Sequence, residues 1–188
     1  HKGLTLARQL GHRERISLLL LNLGVVADRQ GQQELAETYY QEALNLARQI
    51  GHRERISLLL LNLGALTKER GNTTQAEAYY QEGLTLARQL GHRERISDLL
   101  LHLGVLATRQ DNDAKTEHYL QEGLALARQI ANPQLICIML AAWGELYLKQ
   151  NKRAAAARTF REMLELVPTG SQVLMAQALY GMACVEAA

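Results

Sequence analysis

One string, HRERISLLLLNLG, occupies His12–Gly24 and returns unchanged at His52–Gly64; a close variant, HRERISDLLLHLG, runs from His92 to Gly104. Both offsets are forty residues. A chain that repeats at such a period folds as a stack in which each repeat packs on its neighbours, because one copy cannot bury its apolar face alone. The repeat therefore predicts a solenoid before any single residue is considered.

The content of each copy makes the solenoid helical. Between His52 and Gly91 the apolar residues Ile56, Leu59, Leu60 and Leu63 recur at helical spacing, as do Ala76, Tyr80, Leu84 and Ala87 further on. Gly71-Asn72 divides the two runs and Gly91 closes the second. One unit thus reads as helix A from about Arg53 to Arg70, a turn, and helix B from about Thr74 to Leu90. Only two prolines stand in 188 residues, which leaves these long runs unbroken. Asn132-Pro133 stands where earlier units have their Gly-His junction and predicts a strong helix start. Ser171 is the predicted cap of a last helix.

Gly24, Gly64, Gly104 and Gly144 fall inside helix A, where glycine costs about 1 kcal/mol relative to alanine. A penalty paid four times in phase calls for close helix packing. The large residues Tyr40, Tyr80, Leu120 and Phe160 are predicted to press on these glycines.

Leu20, Gly24, Gly31, Ala36, Tyr40 and Ala43 carry a family resemblance, repeated by Leu60, Gly64, Gly71, Ala76 and Tyr80 and by Leu140, Gly144, Tyr147, Ala156, Phe160 and Pro168. At these spacings the chain resembles the tetratricopeptide repeat family. The resemblance implies an all-α, right-handed α-solenoid of antiparallel helix-turn-helix repeats. It departs from the family's common thirty-four-residue period through a longer helix B. The forty-residue repeats with Leu-Ala-Arg-Gln linkers look like the sensor arrays of bacterial signalling ATPases of the STAND type. The expected layout is one solenoid over residues 1–188. Residues 1–11 form the tail of a helix B, repeats occupy 12–51, 52–91, 92–131 and 132–169, and 170–188 form a final helix A. Because the chain opens and closes inside repeats, it is expected to be part of a longer array.

In such arrays helix A lines the concave face, and the family's function is to bind protein segments there. With Leu19, Leu20 and Leu23 assigned to the core, the expected groove residues are Leu18, Leu21, Asn22, Val25 and Arg29 in the first unit. Leu58, Leu61, Asn62, Lys68 and Glu69 follow in the second, and Leu101, His102 and Arg109 in the third. Leu18, Leu21 and Val25 form an apolar strip beyond the packing stripe, and such strips mark interaction surfaces. The resemblance implies that Asn22 and Asn62 hold a bound peptide's backbone, since an amide donates and accepts together. Leu21 and Val25 stand where a clamp for chaperone tails has a Lys and an Asn, so that ligand class is not expected. The alternative reading is a spacer or self-association scaffold with no groove ligand.

Other classes find no support. The net charge of +2 gives no bulk attraction to nucleic acid, and the Arg-Glu-Arg triplets at Arg13, Arg53 and Arg93 each carry their own Glu. These triplets are read as a solvated or salt-bridged edge. His12, His52 and His92 form a ladder along the stack rather than a metal cluster, and His1, His102 and His118 have no helical companion. No nucleophile elbow, phosphate loop or zinc-protease motif is present, so no catalytic residue, metal or cofactor is expected. No apolar run reaches the ~18 residues of a membrane span. Cys137 and Cys184 read as small core residues of a reducing, cytoplasmic setting.

Overall fold

Where this chain can turn decides its architecture. The computed structural model describes residues 2–187, and among these every element is an α-helix. They are α1 (Lys2–Gln9), α2 (Arg13–Arg29), α3 (Gln33–Gln49), α4 (Arg53–Glu69), α5 (Thr73–Leu90) and α6 (Arg93–Arg109), then α7 (Asp113–Gln129), α8 (Pro133–Lys149), α9 (Arg153–Leu166) and α10 (Gln172–Ala187). The short junctions, three residues long except for two between α5 and α6 and five between α9 and α10, turn on a residue of positive φ. At the end of α3, Gly51 takes φ 70° while its N–H donates to Arg48 O (3.2 Å) and that of His52 donates to Ala47 O (2.9 Å). This closes the orphan carbonyls of the last turn and reverses the chain.

Where the next residue is His52, His92 or an asparagine, its side chain then caps the following helix, which His12, Gln32 and Lys152 do not do. His52 Nδ1 accepts the N–H of Arg55 (3.4 Å), and Asn72, Asn112 and Asn132 accept those of Gln75, Lys115 and Leu135 (each 3.1 Å). Asn132 is therefore the counterpart of the capping histidine, one place later than the sequence alignment put it. Ala131 takes the glycine's place at φ 51°.

The chain divides into two compact units after Arg95. In the first, α2 packs on α3, α3 on α4 and α4 on α5, with α1 against α2. Its core holds Leu20, Tyr40, Leu44, Leu59, Leu60 and Leu63, all at 1% exposure or less. In the second, α8 packs on α7, α9 and α10, and α9 on α10, around Cys137, Leu140, Phe160, Met163 and Ala178. Within each unit the fold is the antiparallel helix-turn-helix stack of an α-solenoid. Cys184 is only half-buried on α10, unlike Cys137, because α10 has one face uncovered; Val173 and Tyr180 on it are 77% and 73% exposed.

Two contacts recur inside the repeats. A Cβ built on Gly24 or Gly64 would lie 2.4 Å from the ring of Tyr40 or Tyr80, so the glycine is required for the aromatic to seat. Ser17 and Ser57 donate to Ala43 O (3.0 Å) and Gly83 O (2.9 Å), tying helix A to helix B beneath the surface. Ser97 repeats the bond to Gly123 O at 2.9 Å, and Cys137 stands in the same relation to Met163 O at 3.8 Å. These hydroxyls are buried connectors, since an unpaired buried donor costs about 1–3 kcal/mol. Outside, Arg8 pairs with Glu42 and Arg48 with Glu82, both at 2.6 Å, along exposed helix B surfaces. In the second unit Arg128 pairs with Glu162 at 2.5 Å.

Candidate functional site

The first unit carries a cleft of about 230 Å³ where the start of α4 meets α2 and the end of α5. Leu18, Leu21, Leu58 and Leu90 give it an apolar floor. His52, Glu54, Arg55, His92 and Arg95 stand around it, and Ser57 and Ala87 complete the wall. Leu18 and Arg55 also line a second, more open cleft of about 550 Å³ formed with Gly11, His12, Arg13, Glu14 and Arg15. The two clefts adjoin through these shared residues.

Arg55 departs from the sequence expectation of a solvated edge. It is buried, at 8% exposure, and Nη1 donates to the backbone oxygen of Glu14 at 3.2 Å. The reason is its position on the third residue of α4, where the side chain runs back over the first turn of α2 in the neighbouring repeat. Its counterparts differ: Arg15 is exposed and Arg95 half-buried. Arg53 points instead to Gln89.

The expected groove residues fall into three groups. Leu18 (44% exposed) and the half-buried Leu58 come together on the cleft. Leu21, Leu61 and Leu101 are largely buried, at 6%, 8% and 9% exposure; Leu21 still lines the cleft, whereas Leu61 and Leu101 do not. Leu21 thus belongs both to the cleft and to the core cluster that Leu58 packs against, while Leu101 lies with Leu120 and Met139. Leu19 and Leu23, expected in the core, are half-buried. Asn22 and Arg29 are exposed, and Val25, Asn62 and Lys68 are half-buried, but none of these lines the cleft. Glu69 is exposed and accepts from Gln33 Nε2 at 3.2 Å. His102 is half-buried and Arg109 exposed on α6, in the second unit. The histidine and arginine rim was absent from the expectation, although the repeated His-Arg-Glu-Arg string was its visible signal.

Tyr40 and Lys149 are perturbed elsewhere for structural reasons. Burial, reinforced by Asp28, pushes the Tyr40 phenol up to about 12. In the second unit a hydrogen bond to Asp111 (2.6 Å) raises the Lys149 ammonium, and Gln150 and Lys149 together hold the Asp113 carboxyl down. Among the described residues no group of three or more His, Cys, Asp or Glu side chains is placed to hold a metal, and no helix is long and apolar enough to cross a membrane. His1 lies outside the described residues.

Residues 14–89 match the family model described as tetratricopeptide repeat, which spans most of the first unit and the whole cleft but for Leu90, His92 and Arg95. Among curated proteins none matches the chain. Solved structures do. BtubC (BKLC) from P. vanneervenii superposes with a TM-score of 0.85 at 18% identity, covering 99% of this chain and 80% of that one. The MamA protein gives 0.59 at 15% identity, over 91% and 85% of the two chains. A thermophilic TPR protein of Thermus thermophilus gives 0.50 at 18% identity, over 89% and 99%. At such identities the likeness establishes the fold.

Proposed function

We propose that this chain, which carries tetratricopeptide repeats, is a non-catalytic recognition module that binds a protein segment on the helix A side of its first unit. The single observation that carries the reading is the exposed Leu18 beside Leu58 over a preformed cleft. Apolar surface held open by rigid helices costs solvation and is retained where a partner covers it. The partner is a separate protein or a segment of a longer parent chain. In the second case the array acts as the sensor that holds a bacterial regulatory ATPase inactive in the cytoplasm; the forty-residue period and the Leu-Ala-Arg-Gln linkers support that version.

The test is affinity selection of random peptides on the whole chain, followed by Leu18→Asp. Selected peptides should lose binding to the variant at least about tenfold, because a carboxylate on the floor of the cleft must be desolvated by any ligand. Peptides that bind both proteins equally would sink the reading. A second reading, self-association, is favoured by the exposed Val173, Leu179 and Tyr180 on α10. Sedimentation at rising concentration tests it, and a monomer throughout removes it.

A further inference from the structure

We infer that the cleft selects an acidic segment, one in which an Asp or Glu side chain neighbours an aliphatic residue; this rests on the recognition reading above. Arg55 is the centre of the argument. A guanidinium has five N–H donors and holds its charge at any working pH. Buried to 8% exposure, it has the Glu14 backbone oxygen as its side-chain partner and no carboxylate within ion-pair distance among the described residues. A charge removed from water without a counter-charge is costly, and a ligand carboxylate would relieve that cost.

The histidines add to the same preference. His52 and His92 each accept a backbone N–H at Nδ1, from Arg55 at 3.4 Å and from Arg95 at 3.2 Å. An imidazole that accepts at Nδ1 carries its proton on Nε2, so both rings bring a donor and no acceptor to the rim. The first turns of α4 and α6 lie at this rim as well, and helix N-termini favour negative charge. Glu54 also lines the cleft but makes no ion pair with Arg55.

The floor fixes the second half of the motif. Leu18, Leu21 and Leu58 offer a seat for an aliphatic side chain directly beside Arg55. Because Arg55 and Leu18 belong to both adjoining clefts, the trough continues toward Arg15, long enough for an extended chain rather than one side chain.

The experiment uses synthetic decapeptides with a central Leu flanked by Glu, and the same peptides with Gln in place of Glu, titrated against the whole chain by fluorescence polarisation. Glu peptides should bind at least about tenfold tighter than Gln peptides, and Arg55→Gln should erase the difference. Equal affinity for the two sets, no binding by either, or a preference that survives in Arg55→Gln overturns the inference. Should Arg55→Gln fail to fold by circular dichroism, a salt series on the unaltered protein decides: only the Glu peptides should weaken as NaCl rises. Random peptides that need Leu18 yet show no acidic bias would leave the recognition reading standing and remove this one.

Discussion

Both units are built from the same repeat, but the copy that opens the second, with Leu120 on Gly104, is looser than the two copies of the first. In the first, the turns are glycines with positive φ, at Gly11, Gly31, Gly51, Gly71 and Gly91, and a Cβ added to either packing glycine, Gly24 or Gly64, would lie 2.4 Å from a tyrosine ring. In the second, positive φ falls on Asp111, Ala131 and Asn151 as well as on Gly170, and a Cβ added to Gly104 would lie 3.0 Å from Leu120, whereas one added to Gly144 would lie 2.4 Å from the Phe160 ring. Cys137 replaces the connecting serine. The comparison separates what the fold requires from what it prefers. A small residue opposite a large one and a left-handed turn recur in both, and Phe160 sits on Gly144 as closely as the tyrosines sit on their glycines; Leu120 and Ala131 show that neither an aromatic at the contact nor a glycine at the turn is needed in every copy.

The largest expected effect tests whether the aromatic contact anchors the first unit. Tyr80→Ala should cost about 3–5 kcal/mol in urea unfolding, as for other aromatic-to-alanine core changes. A loss below about 1 kcal/mol would mean that the ring is not seated on Gly64.

Alkaline stability gives the next effect. Tyr40 holds its proton up to about 12, whereas an unfolded tyrosine loses it near 10. Below the unfolded value the neutral phenol's contribution is fully present; as pH climbs from about 10 to about 12 the unfolded state ionises first and stability falls. The loss should approach about 2–3 kcal/mol and should be missing from Tyr40→Phe measured over the same range. Phe160, in the corresponding place of the second unit, has no proton to lose.

Smaller effects sharpen the contrast. Gly64→Ala should destabilise by about 1–3 kcal/mol, because the rigid ring of Tyr80 cannot yield. Gly104→Ala should fall within about 1 kcal/mol of neutral, since Leu120 can shift and alanine favours the helix. Equal costs in thermal denaturation would refute the difference in tightness. Ala131→Gly, relieving a side chain at φ 51°, should stabilise by about 0.5–1 kcal/mol. A fall in Tm would show that Ala131 is not strained.

The sequence made the helix pairs legible because periodicity and turn residues are local. The partners of Gly24 and Gly64 could be named as Tyr40 and Tyr80 because one repeat contains both members. The cleft was legible only in part. Leu18 and Leu58 follow from the stripe they occupy, but the burial of Leu21 and Leu101 depends on how the neighbouring repeat seats, which no single unit encodes. Arg55 is the clearest case. Arg15, Arg55 and Arg95 share one sequence context, yet only Arg55 is buried. Identical strings acquire different surroundings once each has different neighbours.

The serine bond inside each repeat bears on how such a chain can lengthen. Donor and acceptor lie in one forty-residue stretch, Ser17 with Ala43 and Ser57 with Gly83, so the pair travels together when that stretch is copied. An inserted copy brings its own acceptor for its own hydroxyl and leaves no stranded donor at either seam. Gene duplication can therefore add or remove cassettes without a compensating mutation at the junction, which makes array length the easiest property of this protein to vary.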